Sequence, residues 1–398
     1  YGRIGGHMSE KQVNQIIGKV FNQLADTLIS GEYGHKPRVA VTAMGSEHGE
    51  DNIFEAAASA AKSGIDTTVI GTKNVEGVTT AFVNSEDEAH RTMEILLNSK
   101  EIDAAVTMHY PFPIGVSTVG RIVTPGKGKE MFIATTTGTS STDKVAGMVK
   151  NAVYGIITAK ACGIKNPTVG ILNVDGARQT EMALLKLKNQ GYTINFAQSQ
   201  RADGGAIMRG NDLLMGSADV MVMDSLTGNL MIKIFSSYTT GGSYESLGYG
   251  YGPGIGEDFD KLILIISRAS GAPLVEGAIK FAAELVNGNC LEIAKQEFAN
   301  VHKAGLTEIL NGLKSTKKNQ EDEAEVKAPA KQVVTSQISG IEIMDLEDAV
   351  KLLWKNGIYA ESGMGCTGPI ILVNDATISS ALKILADNEF IAQEKVDC

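Results

Sequence analysis

Several things are scarce in this sequence. Among 398 residues there are one Trp, 10 Tyr and 11 Phe, with 9 Pro and 4 Cys. So few cysteines exclude a disulfide scaffold, and Cys162, Cys290, Cys366 and Cys398 lack the CxxC or Cys/His spacing of a zinc site. Reduced thiols, no metal and a cytoplasmic location are the expectation. The longest apolar runs, such as Leu262 to Ile266 and Ile370 to Val373, fall far short of the ~20 residues needed to cross a bilayer. Basic charge is also in deficit, with 36 Lys plus Arg against 46 Asp plus Glu and a net charge of −10. A general binder of nucleic acid or anionic membrane is normally basic, so neither partner is expected. No charged, then apolar, then small-residue leader opens the chain, and Tyr1 to His7 reads as an expression scar before a start at Met8. What is present, 43% apolar and 21% charged residues with 44 Gly, is the balance of an ordinary globular protein. The length predicts two or three domains of about 100 to 200 residues each.

From Arg38 to about Ser267, short β-rich runs alternate with amphipathic stretches of helix length, which predicts an α/β protein with a largely parallel sheet. Strands are expected at Arg38 to Ala43, Thr67 to Ile70, Asp103 to Thr107, Phe132 to Thr135, Thr168 to Leu172, Ala218 to Met223 and Leu262 to Ile266. Their Val, Ile and Ala content suits strands covered on both faces. Lys314 to Val333 is charged and lacks aromatics, so a mobile linker is expected between a body, residues 8–313, and a module, residues 334–398. The module reads as α+β: a helix from Asp345 to Lys355 stopped by Asn356-Gly357, strands near Ile358 to Glu361 and Ile370 to Val373, and a final helix capped at Asn374-Asp375. The glycine-rich stretch Gly241 to Gly256 reads as a mobile lid or docking loop.

Four places carry candidate chemistry. Gly138, Thr139, Ser140 and Ser141 join a strand, through a glycine turn, to a helix, an arrangement able to cradle phosphate because unpaired N–H groups and the positive helix end face the anion. An ordinary capped helix would look the same, and the spacing is not that of a Walker loop. Thr227 and Asn229, with Gly228 between them, offer a hydroxyl and an amide after the strand Ala218 to Met223. His48 follows the first strand, where ligands of open α/β sheets gather, and is a candidate proton-transfer or phosphate-binding residue. His109 follows another strand in the same way, and either histidine could be a solvated loop residue. Cys366 lies in Gly363-Met364-Gly365-Cys366-Thr367-Gly368-Pro369. A thiol among glycines is placed to act as a nucleophile, with N–H groups near Gly365 and Gly368 able to meet a thioester oxyanion. The alternative is a structural Cys in a glycine turn. Cys162 at a helix C-terminus, Cys290 and the terminal Cys398 are weaker candidates.

The segments Val39-Ala40-Val41-Thr42-Ala43-Met44-Gly45-Ser46-Glu47-His48-Gly49, Thr168 to Asn173 and Ala218 to Asn229 resemble, in order, the PlsX phosphate acyltransferase family over about Arg38 to Asn287. Thr42, Ser46 and Glu47 depart from that family's Asp, Gly and Asp. With the linker and Gly365-Cys366-Thr367-Gly368-Pro369, the chain resembles the PlsX-like alpha subunits of component C of the glycine/sarcosine/betaine reductases. The resemblance implies a three-layer α/β/α, isopropylmalate dehydrogenase-like fold shared with phosphotransacetylases. It implies an acetyl thioester on Cys366, formed from a carboxymethyl group on selenoprotein component A and released to inorganic phosphate as acetyl phosphate. It also implies a ketoacyl-synthase-like beta subunit as partner, an oligomer and no cofactor. A flexible tether of ~20 residues, with an r.m.s. span on the order of 25 Å, would let one thiol visit both sites. Two rival readings stay open: an acyl-carrier-protein-dependent phosphate acyltransferase, and a non-catalytic scaffold for the beta subunit.

Overall fold

The computed structural model describes residues 21, 36–75, 78–200, 204–320, 326–341, 345–365, 368–388 and 390–391. The strands of the body are β1 (Arg38–Thr42), β2 (Asp66–Gly71), β3 (Thr79–Phe82), β4 (Ala104–Thr107), β5 (Val116–Val123), β6 (Glu130–Thr139), β7 (Thr168–Leu172), β8 (Asn195–Phe196), β9 (Ile207–Met208), β10 (Val220–Val222), β11 (Gly252–Ile255) and β12 (Ile263–Ile265). They form a 12-stranded sheet in the order β3-β2-β1-β4-β12-β11-β5-β6-β10-β7-β8, with β9 also on β7. Two parallel arrays, β3 to β12 and β6 to β8, are separated by β11 and β5, which run antiparallel to their neighbours. The arrays therefore run in opposite senses, and their carboxyl ends do not share one rim. The expected largely parallel α/β sheet is present, with an antiparallel pair at its centre.

Strand periodicity supplies both faces of the core. Val39, Val41, Phe132, Ala134, Val220 and Val222 point to one cluster, while Ala40, Met131, Ile133 and Met221 point to the opposite face. Helices α1 (Glu50–Ala61), α3 (Lys144–Ala161), α4 (Ala177–Asn189), α7 (Ala272–Asn287) and α8 (Cys290–Lys303) cover the first face with Ile53, Met148, Leu184, Phe281 and Phe298. Helices α2 (Glu86–Asn98), α5 (Gly210–Met215) and α6 (Ser225–Ser237) cover the second with Met93, Leu213 and Ile232. Layers of helix, sheet and helix result.

Two expectations change. The stretch Gly241 to Gly256 is not a free loop: Tyr251 and Glu245 are buried, and Gly252–Ile255 is the central strand β11. Gly252 has φ +82°, and a Cβ there would stand 1.7 Å from the Val119 carbonyl oxygen. Glycine is present because another strand's backbone passes against it, and sequence alone cannot tell this from chain flexibility. The expected linker also begins too early, because helix α9 (Leu306–Gln320) runs through Lys314 to Gln320. Lys and Gln are good helix formers, and no proline interrupts them.

The module carries β13 (Ser336–Ser339), β14 (Ala360–Gly365) and β15 (Gly368–Val373) in the antiparallel order β13-β15-β14, with α10 (Leu346–Lys355) and α11 (Ile378–Asp387). Ala349, Leu353, Ile371, Val373, Ala381 and Leu385 close a core separate from that of the body. Asn356-Gly357 ends α10, as expected from sequence.

One carboxylate ties the second array together. Asp219 accepts from the Thr168 N–H (2.9 Å) and hydroxyl (2.7 Å) and pairs with Lys129 (3.1 Å). Burial would push its pKa up, but the Thr168 and Lys129 contacts outweigh burial and hold it below the ordinary value. A depressed pKa contributes stability above the unfolded value of about 3.9, and that stability is lost as pH falls through the folded value. Asp219→Asn should therefore cost about 1–3 kcal/mol in urea unfolding at pH 7, with the gap to wild type closing as pH approaches 2.

Candidate active site

In the second array β6 and β10 are neighbours that lead to helices on opposite faces, α3 and α6, the position at which open α/β sheets bind ligands. The structure brings two of the predicted groups together here. Gly138 and Thr139 are the last residues of β6, and Gly138 pairs with Ser117, so it lies within the strand and not in a turn. Ser140 is buried, with its hydroxyl 2.7 Å from Asn151 Oδ1 and 3.1 Å from the Gly147 carbonyl oxygen. The Asn151 amide in turn donates to the Met223 carbonyl. Thr227 donates its hydroxyl to Asp224 Oδ2 (2.7 Å), and the Asn229 amide donates to the Thr136 carbonyl (3.0 Å). A Cβ on Gly228 would lie 1.7 Å from the Thr135 oxygen, so α6 rests directly on the backbone of β6.

These polar groups hold the ends of β6 and β10 in place. Ser141 is half-buried and accepts from the Asp143 N–H, leaving Thr139 as the exposed hydroxyl of the set. Both helix ends are capped by aspartates: Asp143 accepts from the Ala146 N–H, and Asp224 from the Leu226 and Thr227 N–H groups. Carboxylates thus stand where an incoming phosphate would seek the positive helix ends.

His48 lies elsewhere, at the carboxyl ends of the first array. Its Nε2 is 3.2 Å from the Ala269 carbonyl oxygen, which can only accept, so Nε2 carries the proton and Nδ1 is the basic nitrogen. Its ring meets the edge of Tyr244 at 5.6 Å. Among the described residues, no hydrogen bond or ring contact joins His48 to Gly138–Ser141 or to Thr227–Asn229. The segment around Tyr244 and Glu245 spans the two places, since Lys233 of α6 stands 3.6 Å from Glu245.

Beside His48, a cleft of about 250 Å³, measured with its open mouth, is lined by Thr42, Thr107, His90, His109, Glu86 and Arg268. It is formed by the ends of β1 and β4, the turn after β12 and the first turns of α2. Thr42 and Thr107 share a hydroxyl bond (2.9 Å), and His90 Nε2 donates to the His109 carbonyl (2.9 Å). Arg268 donates to the Gly45 carbonyl (3.1 Å) and grips Glu86 through two bonds of 3.2 and 3.0 Å. The hydrogen bond from Arg268 holds the Glu86 carboxyl below its ordinary pKa. Both side chains are nearly half exposed, and such pairs are worth at most about 1 kcal/mol. Sequence reasoning missed Arg268, Glu86 and His90. Arg268 was within reach of it, because it follows the apolar run Leu262 to Ile266 just as His48 follows the first strand. His90 sits inside an amphipathic helix and gives no such signal.

Cys366 lies outside the described residues, as do Thr367 and Cys398. Gly365 and Gly368 flank it as register partners at the ends of β14 and β15. Of the other cysteines, burial pushes the Cys290 thiol up to about 12 and raises Cys162 further. Neither is a thiolate at neutral pH. Among the described residues, no cluster of three His, Cys, Asp or Glu could hold a metal, and no helix is long and apolar enough to cross a membrane.

The fatty acid synthesis protein family model matches residues 37–372, and the chain belongs to that family. The match reaches past Asn287 through α9 into the module. The alpha subunit of the glycine/sarcosine/betaine reductase complex component C from Peptoclostridium acidaminophilum is 59% identical over 382 residues, 96% of this chain and 99% of that one. A phosphate acyltransferase from Thermosipho melanesiensis is 35% identical over 94 residues, 23% of this chain and 26% of its own. Among solved structures, a branched-chain phosphotransacylase from Enterococcus faecalis V583 aligns over 63% of this chain and 99% of its own, at 16% identity and a TM-score of 0.46.

Proposed function

We propose that this chain works as a component C alpha subunit of a glycine/sarcosine/betaine reductase, carrying an acetyl group as a thioester on Cys366 and transferring it to inorganic phosphate. The observation that carries the reading is the 59% identity that runs through 96% of the chain. The phosphate acyltransferase relatives support the second half of the reaction. The burial of Cys162 and Cys290 supports the first, because it removes both from the set of neutral-pH nucleophiles.

The donor is a carboxymethyl selenoether on component A, a selenoprotein that also supplies a thiol. The C–Se bond breaks, selenium and the partner thiol join as a selenenyl sulfide, and the methylene carbon gains a proton to become methyl. The carboxyl group loses one oxygen as water and bonds to the Cys366 sulfur, whose proton leaves. Selenium and the partner sulfur are oxidised together by two electrons, and the two-carbon unit is reduced by two. A phosphate oxygen then attacks the thioester carbonyl. A C–O bond forms, the C–S bond breaks, the thiolate returns and acetyl phosphate departs. N–H groups near Gly365 or Gly368 stabilise the oxyanion. The partners are component A and a ketoacyl-synthase-like beta subunit, in an oligomer, and no cofactor or metal takes part.

Iodoacetate at neutral pH should alkylate Cys366 and leave Cys162 and Cys290 unmodified, as read by peptide mass spectrometry. A protein whose Cys366 resists while acetyl phosphate still forms would overturn the thioester. The finding would favour direct transfer from an acyl carrier protein, the reading that the short phosphate acyltransferase matches also allow.

A further inference from the structure

The acyl-to-phosphate reading needs a phosphate seat, and where β6 meets β10 the Ser140, Thr227 and Asn229 side chains are hydrogen-bonded within the fold while aspartates cap both helix ends. The cleft beside His48 differs in its charge and its openness. It brings a guanidinium and two imidazoles into one concavity, against the buried Thr42 and Thr107 hydroxyls that bond to each other. A guanidinium matches two phosphate oxygens as readily as it matches a carboxylate. The place at Arg268 is filled by the two oxygens of the Glu86 carboxylate, so an occupant that replaces them is a small oxyanion.

We propose that this cleft seats inorganic phosphate or another phosphoryl oxyanion, and that the Glu86 carboxylate occupies Arg268 until the anion replaces it. The inference rests on the proposed acyl transfer to phosphate and adds the place and the gate. Glu86 grips Arg268 with both oxygens, the geometry that a phosphate would copy. Its neighbour Glu88 does not compete for Arg268, being turned back onto the Asn84 N–H at 2.8 Å. Because Glu86 and Arg268 are both nearly half exposed, the carboxylate can swing into water without opening the core. Arg268 stays anchored meanwhile by its bond to the Gly45 carbonyl.

Calorimetric titration of the full chain with inorganic phosphate, without acetyl donor, tests the seat. Glu86→Gln removes the internal competitor and should lower the Kd about threefold to tenfold, while Arg268→Gln should raise it at least about tenfold. Both side chains are half exposed, so thermal melts should stay close to wild type. An unchanged or weaker Kd in Glu86→Gln, or wild-type binding in Arg268→Gln, overturns the proposal. A parallel titration with acetyl phosphate tells the free ion from the product's phosphoryl group. If the variants shift phosphate binding as expected while no acetyl phosphate forms from a carboxymethylated selenoprotein, the seat stands and the acetyl reading falls. If Arg268→Gln makes acetyl phosphate at the wild-type rate, the seat falls and the acetyl reading stands.

Discussion

Cys366→Ala protein, supplied with phosphate and a carboxymethyl selenoether donor, should form acetyl phosphate at least about 1000-fold more slowly than wild type, the scale of loss seen when a covalent nucleophile is removed. Alanine keeps the small volume and deletes the sulfur, so the loss reports chemistry and not bulk. Cys162→Ala is the control: its thiol is held protonated by burial and should be dispensable for turnover. A Cys366→Ala protein within tenfold of wild type would mean that phosphate takes the acyl group directly from another carrier. The measurement is a coupled assay of acetyl phosphate at saturating phosphate, which keeps any change in phosphate affinity out of the comparison.

Gly252→Ala should fail differently, by loss of folded protein. The methyl group would enter the Val119 carbonyl, and alanine would have to hold φ near +82°. Positive-φ strain and an overpacked contact together cost about 3–5 kcal/mol, comparable to the whole stability of many domains. Gly228→Ala meets the Thr135 oxygen at the same 1.7 Å but keeps a helical backbone, so it should lose less, through the displacement of α6 from β6. Expression in the soluble fraction and urea midpoints separate the two. A Gly252→Ala protein as stable as wild type would mean that β11 does not pass against β5 as described.

The parts of the fold legible from sequence are those where local pattern and final environment agree. Thr168 to Leu172, with Val169, Ile171 and Leu172, reads as a strand and is a strand over the same residues. The helix after Asp143 and the stop at Asn356-Gly357 follow from caps written locally. β11 is illegible for the opposite reason: its Gly-Pro-Gly core reads as a loop, and only the backbone of β5 alongside it explains those residues. β5, with Ser117, Thr118, Gly120 and Arg121 among its valines, lacks the apolar run that marks β4, β10 and β12. The candidate site divides in the same way. Strand-end position alone points to His48, Thr227 and Asn229. Whether a hydroxyl faces solvent or the interior depends on partners far along the chain, as with Ser140, Asn151 and Met223. The pairing of Arg268 with Glu86 is equally remote in sequence.

The order in which the sheet is assembled has a consequence during synthesis. Chain that builds β5 and the second array, from Val116 to Ser237, is inserted between β4 and its partner β12, so Val106 must wait for Leu264. On the ribosome the second array can complete its own hydrogen-bond ladder while β4 still presents a bare strand edge. An unpaired apolar edge is a template for wrong pairing. A nascent chain stalled before Leu262 carries Ala104, Ala105 and Val106 open to any passing strand, and the emergence of Ile263 to Ile265 closes that window.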